Sequence, residues 1–107
     1  MAQPVFADNA SFCVTVTGAP AAECEALMSI YDNAGGTNWT NKTGWGTSTT
    51  ICTWTGITCS NGHIMALNIS DKNLVGAFAI TSGNLNALTY LNLSSNALAS
   101  IDSTGMN

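Results

Sequence analysis

The sequence predicts an α/β chain in which a disulfide-stapled helical cap precedes a short solenoid of strand-and-turn repeats. Three observations support this fold: one segment has the apolar spacing of a helix, four cysteines lie in the first part of the chain, and two later segments repeat each other. A chain of 107 residues can bury one modest core. We expect the cap in residues 1–60 and about two repeats in residues 61–107.

The chain carries very little charge. Charged residues make up 7% of it, against roughly 25% in an ordinary soluble domain, and the formal net charge is -4. Lys42 and Lys72 are its only basic residues, which is too few to neutralise a row of phosphates or to bind an anionic membrane. This composition therefore argues against nucleic acid as a partner. We expect no membrane insertion, because no apolar run approaches the ~20 residues of a membrane span.

The first 35 residues predict an arm followed by a helix. Residues 6–17 include the run FCVTVT, which favours a short strand or extended arm that ends at Gly18. Pro20 then stands where the first turn of a helix tolerates proline, and apolar residues follow at helical spacing until Asn33 and Gly35. The helix is expected from about Ala21 to Asn33.

The four cysteines allow three pairings if all of them are bridged. We favour the two local pairs, Cys13 with Cys24 and Cys52 with Cys59, and the sparse charge fits an extracellular protein. The alternative for the first pair is two separate buried thiols. Zinc is disfavoured because the cysteine spacings are long and His63 is the only histidine, so we expect no metal and no cofactor.

Residues 35–60 have no sustained period but contain all three tryptophans, Trp39, Trp45 and Trp54. Exposed tryptophans would suit sugar binding, yet a domain of this size needs its large aromatic side chains as core. We therefore predict an ordered irregular segment in which the indoles are buried.

Two segments after Cys59 align with each other, HIMALNISDKNLVG and ALTYLNLSSNALAS. Leu67 falls over Leu91 and Leu74 over Leu98, each 24 positions apart. A period of this length with the pattern LxLxxNxL lies in the range of leucine-rich repeats, where a short strand supplies two inward aliphatic residues and a turn asparagine satisfies backbone groups.

Two earlier blocks, ALMSIYDNAGGTNW and CTWTGITC, add to this pattern. With the repeat, they resemble the N-terminal cap and first repeats of plant-type leucine-rich-repeat proteins, whose caps carry Cys-x-Trp-x-Gly-Ile-x-Cys. The resemblance implies that Cys52 pairs with Cys59 and that Trp54 packs beneath the first repeat. The first repeat departs from the family by placing Lys72 where the second has the turn residue Asn96, and Asn73 is the candidate to replace it.

Nothing in the sequence indicates an enzyme. His63 has no partner histidine, and the chain contains no Gly-rich phosphate loop and no GxSxG motif. We interpret His63 as a turn residue between the cap and the first strand, and we expect no catalytic residues.

The residues between and beside the inward aliphatics of each repeat are expected on a concave face. These candidate binding residues are Ala66, Asn68, Ser70, Tyr90, Asn92 and Ser94. The alternative is that they only meet solvent, because two strands form a patch smaller than the ~800 Å² that each partner usually buries.

Repeat units bury their apolar faces against their neighbours, so the last repeat needs a cover. The aliphatic residues concerned are Leu88, Leu91, Leu93, Leu98 and Ile101. Further repeats, a second copy, or head-to-tail stacking into a filament would each cover them. We favour self-association, and hence a non-enzymatic extracellular structural subunit whose main partner is itself. The alternative is the N-terminal recognition or adhesion module of a receptor-like protein that binds a protein, peptide or glycan on its concave face.

Five N-x-Ser/Thr sequons are candidate glycosylation sites in a eukaryotic secretory pathway. They begin at Asn9, Asn38, Asn41, Asn68 and Asn92. The start MAQPVFADNA lacks the basic and apolar regions of a signal peptide, so we expect a secreted or cell-surface protein whose leader is absent from this chain.

Overall fold

The computed structural model describes Asn9 and residues 11–102. Its main helix, α1, is followed by two short 3-10 turns and five strands. In chain order these are α1 Ala21–Asn33, the turns Gly36–Asn38 and Ile51–Thr53, and the strands β1 Ile57–Ser60, β2 His63–Asn68, β3 Val75–Phe78, β4 Tyr90–Asn92 and β5 Ala97–Ile101. The helix and the turns form the cap, and β2 to β5 lie beyond it.

The segment before α1 is not the extended arm that its Val and Thr content predicts. Asn9 and residues 11–13 have helical backbone, and Thr17 makes a single bridge to Thr50. The reason is local, because the amide and the hydroxyl of Thr15 both donate to the carbonyl of Phe12 and close a turn there. The remaining residues of the predicted arm, 6–8 and 10, lie outside the described residues.

Helix α1 occupies the predicted range and is held at both ends by backbone features. Pro20 precedes it with φ of -64°, and Gly35 follows it with φ of 72°, a left-handed conformation that turns the chain away from the helix axis. A disulfide joins Cys24 in the first turns of the helix to Cys13, and a second disulfide joins Cys52 to Cys59. Both predicted pairings are therefore present.

The irregular segment of the cap encloses a cluster of aromatic rings. Trp39, Trp45 and Trp54 are 4%, 3% and 1% exposed, and neighbouring ring centroids lie 4.9 Å and 5.4 Å apart. Each indole N–H donates to a backbone carbonyl, those of Ala34, Thr55 and Ser48 respectively. Because every indole N–H has a partner, the rings are buried without an unsatisfied donor. The prediction of core tryptophans is confirmed.

The five strands of the described residues form two small sheets. One sheet has the order β1-β2-β4, with β1 antiparallel and β4 parallel to β2, and the other pairs β3 with β5 in parallel. Leu67 lies opposite Leu91, at the offset of 24 residues that the sequence alignment predicts.

The predicted alignment of Leu74 over Leu98 is wrong, because Gly76 lies opposite Leu98. The turn between the strand pairs is two residues longer in the first repeat than in the second. That longer turn contains two left-handed residues, Asp71 with φ of 53° and Asn73 with φ of 65°.

Asn96 completes the first turn as well as its own. Its Oδ1 accepts hydrogen bonds from the amides of Lys72 and Leu74, each at 3.0 Å, and its Nδ2 donates to the carbonyls of Ile69 at 2.8 Å and Leu93 at 3.0 Å. The expectation that Asn73 would replace the missing turn asparagine is wrong, because its Nδ2 donates to the cap instead, at the carbonyl of Asn38.

Candidate functional site

The side chains predicted for the concave face do lie together. Ala66 pairs with Tyr90 and Asn68 pairs with Asn92 across the parallel strands β2 and β4. Neighbouring strands lie about 4.8 Å apart, and alternate side chains point to opposite faces. Leu67, between these residues, is fully buried, whereas Tyr90 is 51% exposed. We call the six residues Ala66, Asn68, Ser70, Tyr90, Asn92 and Ser94 the sheet face.

The same local hydrogen bonds organise both strand ends on the sheet face. Asn68 Oδ1 accepts from the amide of Ser70 at 3.3 Å and from its hydroxyl at 2.9 Å. Asn92 Oδ1 accepts from the amide and the hydroxyl of Ser94 at 3.0 Å and 2.7 Å, and Asn92 Nδ2 donates to the Tyr90 hydroxyl. The face therefore offers an aromatic ring and oriented amide and hydroxyl groups without a charged side chain.

The end of the chain beyond β4 is covered less well than the cap end. Leu67 and Ile69 of the first repeat are 0% exposed, whereas Leu91 and Leu93, which align with them, are only partly buried. Leu88 and Leu98 are also partly buried, and Ile101 is 62% exposed. We call Leu88, Leu91, Leu93, Leu98 and Ile101 the open end.

A buried carboxylate that sequence reasoning missed joins the helix to the first repeat. Glu23 on α1 is 3% exposed, and its Oε1 accepts from the amide of Ile64 at 2.7 Å. Its Oε2 lies 2.6 Å from Nδ1 of His63. The structure places His63 as the first residue of β2, so the prediction that it is a turn residue is wrong. No sequence signal could have found this pair, because its members lie 40 positions apart and neither belongs to a recognised motif.

The cap also has an open hollow of about 390 Å³ beside the aromatic cluster. Tyr31 and Trp45 contribute to its wall together with Asn41, Lys42, Thr43 and Thr47. Burial, and to a smaller extent the Asp32 carboxylate, raise the pKa of the Tyr31 hydroxyl above its usual value of 10.0. The sequence did not indicate this hollow because residues 40–47 have no periodic pattern.

No metal centre emerges from the described residues. Among Asn9 and residues 11–102, no group of three or more His, Cys, Asp or Glu side chains is arranged to hold a metal ion.

A helix, a tryptophan cluster and two disulfides ahead of parallel strands fit an N-terminal cap of leucine-rich repeats. Residues 20–60 match the family described as Leucine rich repeat N-terminal domain. The resemblance based on the helix and the Cys-x-Trp-x-Gly-Ile-x-Cys motif is therefore confirmed.

The relatives of this chain include plant receptors. It is 41% identical over 51 residues to the LRR receptor-like serine/threonine-protein kinase GSO2 of Arabidopsis thaliana, which is 48% of this chain and 4% of that protein. It is 38% identical over 61 residues to Phytosulfokine receptor 1 from the same plant, covering 54% of this chain and 6% of the receptor. The matches therefore concern a small part of each relative. Among the described residues, no helix is long and apolar enough to cross a membrane.

Proposed function

We propose that this chain is the non-catalytic N-terminal recognition module of an extracellular leucine-rich-repeat protein. It binds a protein, peptide or glycan through the sheet face. The observation that carries the proposal is the side-by-side placement of Ala66 with Tyr90 and of Asn68 with Asn92 on two parallel strands. The match to a repeat N-terminal domain and the receptor names of the relatives favour this function over self-assembly as the main one.

The chemistry of the sheet face suits a neutral polar ligand. Amide and hydroxyl groups both donate and accept hydrogen bonds, as the backbone of an extended peptide or the hydroxyls of a sugar require. The half-exposed ring of Tyr90 adds apolar contact area at a low cost in conformational entropy. Because two strands form only a small patch, the proposal assigns the rest of the binding surface to further repeats of a solenoid.

The cap supports this function by fixing the first strand of the sheet face. The Glu23 carboxylate holds the start of β2 through the Ile64 amide, and the amide of Asn68 at its end donates to the carbonyl of Gly56 in the cap at 2.8 Å. Trp54 and Ile57 close the core on the cap side, at 1% and 7% exposure. In this proposal the cap seals one end of the solenoid, and the open end faces the next repeat.

Selection from a library of displayed random peptides, together with a glycan array, tests the proposal. Ligands selected on the wild-type chain are measured against Tyr90→Ala and against Val14→Ala, which removes an apolar side chain that is 74% exposed outside the sheet face. We expect binding to weaken about tenfold or more with Tyr90→Ala, as for a central aromatic contact, and to be unchanged with Val14→Ala. Equal binding by both variants, or no saturable ligand, contradicts recognition at the sheet face.

Self-association is a second candidate function because of the open end. Leu98 and its neighbours are incompletely covered, and a net charge of only -4 provides little repulsion between copies. Light scattering over a concentration series, with negative-stain images, measures it. Mass that grows with concentration in the wild type and not in Leu98→Glu supports end-to-end stacking. A constant mass of 11.0 kDa contradicts it.

A further inference from the structure

The hollow in the cap lies outside the sheet face and has no part in the recognition proposed above. Its volume of about 390 Å³ falls in the range of about 300–1,000 Å³ that small-ligand pockets occupy. Tyr31, Thr43 and Thr47 are among the residues that line it. Lys42 donates from Nζ to the carbonyl of Thr37 at 3.0 Å, which leaves further ammonium donors. An aromatic ring surrounded by hydrogen-bonding groups suits a sugar ring.

A glycan attached to Asn41 is a candidate occupant of the hollow, because Asn41 lines the hollow and begins the sequon Asn-Lys-Thr. Its side chain is exposed, and its Oδ1 accepts from the amide of Thr43 at 3.1 Å and from the Thr43 hydroxyl at 2.8 Å. Within the described residues, Asn41 Nδ2 donates to no partner. The carboxamide is thus held through its oxygen, and its nitrogen remains available for modification.

In two of the other four sequons the side-chain nitrogen of Asn already donates a hydrogen bond. Asn9 Nδ2 donates to the Asp32 carboxylate at 2.7 Å, and Asn92 Nδ2 donates to the Tyr90 hydroxyl at 3.3 Å. Asn68 lies opposite Asn92 on the adjacent strand, where a glycan would cover the sheet face. Asn38 is exposed, but its side chain makes no bond to Thr40 within the described part of the chain and it does not line the hollow. Asn41 combines exposure, a free nitrogen, the sequon hydroxyl bond and adjacent open volume.

We propose that Asn41 carries an N-linked glycan whose first N-acetylglucosamine lies in the hollow against Tyr31. In the attachment step, Asn41 Nδ2 attacks the anomeric carbon of a lipid-pyrophosphate-linked oligosaccharide, the co-reactant of the eukaryotic secretory pathway. A carbon–nitrogen bond forms while the bond from the anomeric carbon to the phosphate oxygen breaks. The lipid pyrophosphate leaves with the electron pair, and Nδ2 loses one proton to the transferring enzyme's base.

Peptide mapping of the chain secreted from a eukaryotic cell line tests the attachment. N-glycans are released in heavy-oxygen water, which converts each glycosylated Asn to labelled Asp. We expect label at position 41, and we expect Asn41→Gln and Thr43→Ala each to lose the mass of one glycan. The matched variant Asn38→Gln keeps the full mass. An unlabelled Asn41, or loss of that glycan in Asn38→Gln instead, overturns the proposal.

Hydrogen exchange tests the position of the sugar. The glycoprotein is trimmed to a single N-acetylglucosamine and compared with the wild-type chain made in bacteria without a glycan, which keeps the Asn41 Oδ1 acceptor for the Thr43 amide. If the sugar lies in the hollow, the amides of Thr43 and Trp45 exchange about threefold more slowly in the trimmed glycoprotein. Equal exchange at both amides overturns this position. Label at Asn68 or Asn92 would contradict recognition at the sheet face, and leaves the Asn41 result unaffected.

Discussion

The buried carboxylate of Glu23 gives the sharpest test of how the cap holds the first repeat. In Glu23→Ala the Ile64 amide keeps its buried position and loses its acceptor, and His63 loses its partner. An unsatisfied buried donor costs about 1–3 kcal/mol, and hydrogen bonds to charged groups contribute about 1.5–3 kcal/mol. We therefore expect the free energy of unfolding to fall by about 3 kcal/mol. Glu23→Gln keeps an acceptor oxygen for Ile64 and is expected to lose about half as much.

Urea unfolding at neutral pH with the disulfides intact measures these changes. Glu25 on the same helix is the matched control, because its Oε1 accepts from the Ser82 hydroxyl at 2.9 Å at an exposed position. Glu25→Ala is expected to lose less than about 1 kcal/mol, since exposed groups regain water as a partner. If Glu23→Ala is no less stable than Glu25→Ala, the reasoning about the buried carboxylate is refuted.

Three further predictions concern the turns and the hollow. Asn96→Ala leaves two amides and two carbonyls of neighbouring turns without the side chain that bonds them. The free energy of unfolding, measured in urea, should fall by about 2–3 kcal/mol. A loss below about 0.5 kcal/mol would count against the role of Asn96 in joining the two turns. Gly56→Ala places a Cβ against the carbonyl oxygen of Asn68, whereas Gly62→Ala places one in open space, and the two glycines have similar φ values of +84° and +79°. The melting temperature of Gly56→Ala should therefore be well below that of Gly62→Ala. Equal melting temperatures would refute the clash. Ultraviolet pH titration should show a phenol that ionises above pH 10.0 and disappears in Tyr31→Phe. The raised pKa means that the folded state favours the neutral phenol of Tyr31. The contribution of Tyr31 to the free energy of unfolding is therefore fully present below pH 10.0 and is lost as the pH rises through the folded pKa.

Local features of this fold could be predicted from the sequence because each has a local cause. Proline before the helix and glycine after it set the bounds of α1, and the resemblance carried by the local Cys-x-Trp-x-Gly-Ile-x-Cys motif implied that Cys52 pairs with Cys59. The tryptophans were predicted as core because a small domain has few other large apolar side chains. The strand register at Leu67 and Leu91 followed from the repeat itself.

Features that have no clear signal in the sequence could not be predicted. The Thr15 bonds that make residues 11–13 helical compete with a strand propensity that the sequence shows more clearly. The register of β3 with β5 depends on the left-handed residues Asp71 and Asn73. The residue type alone does not predict which Asp or Asn adopts a left-handed conformation. The hollow beside Tyr31 forms from a segment without periodicity, so its lining had no sequence signal.

The first repeat has different hydrogen-bond partners on its two sides, so its cap side and its opposite side are not equivalent. On the cap side, the Glu23 carboxylate and the Gly56 carbonyl accept the amides at the two ends of β2. On the other side, the first turn depends on Asn96, a residue of the second repeat. A repeat in this chain therefore obtains part of its hydrogen bonding from the repeat that follows it. By the same reasoning, a following repeat with an asparagine at the corresponding position would accept hydrogen bonds from backbone amides in the turn of the second repeat. The same repeat would cover Leu91 and Leu93. An added repeat should then raise the unfolding free energy more when it carries that asparagine than when it carries alanine there, and equal values would contradict the dependence.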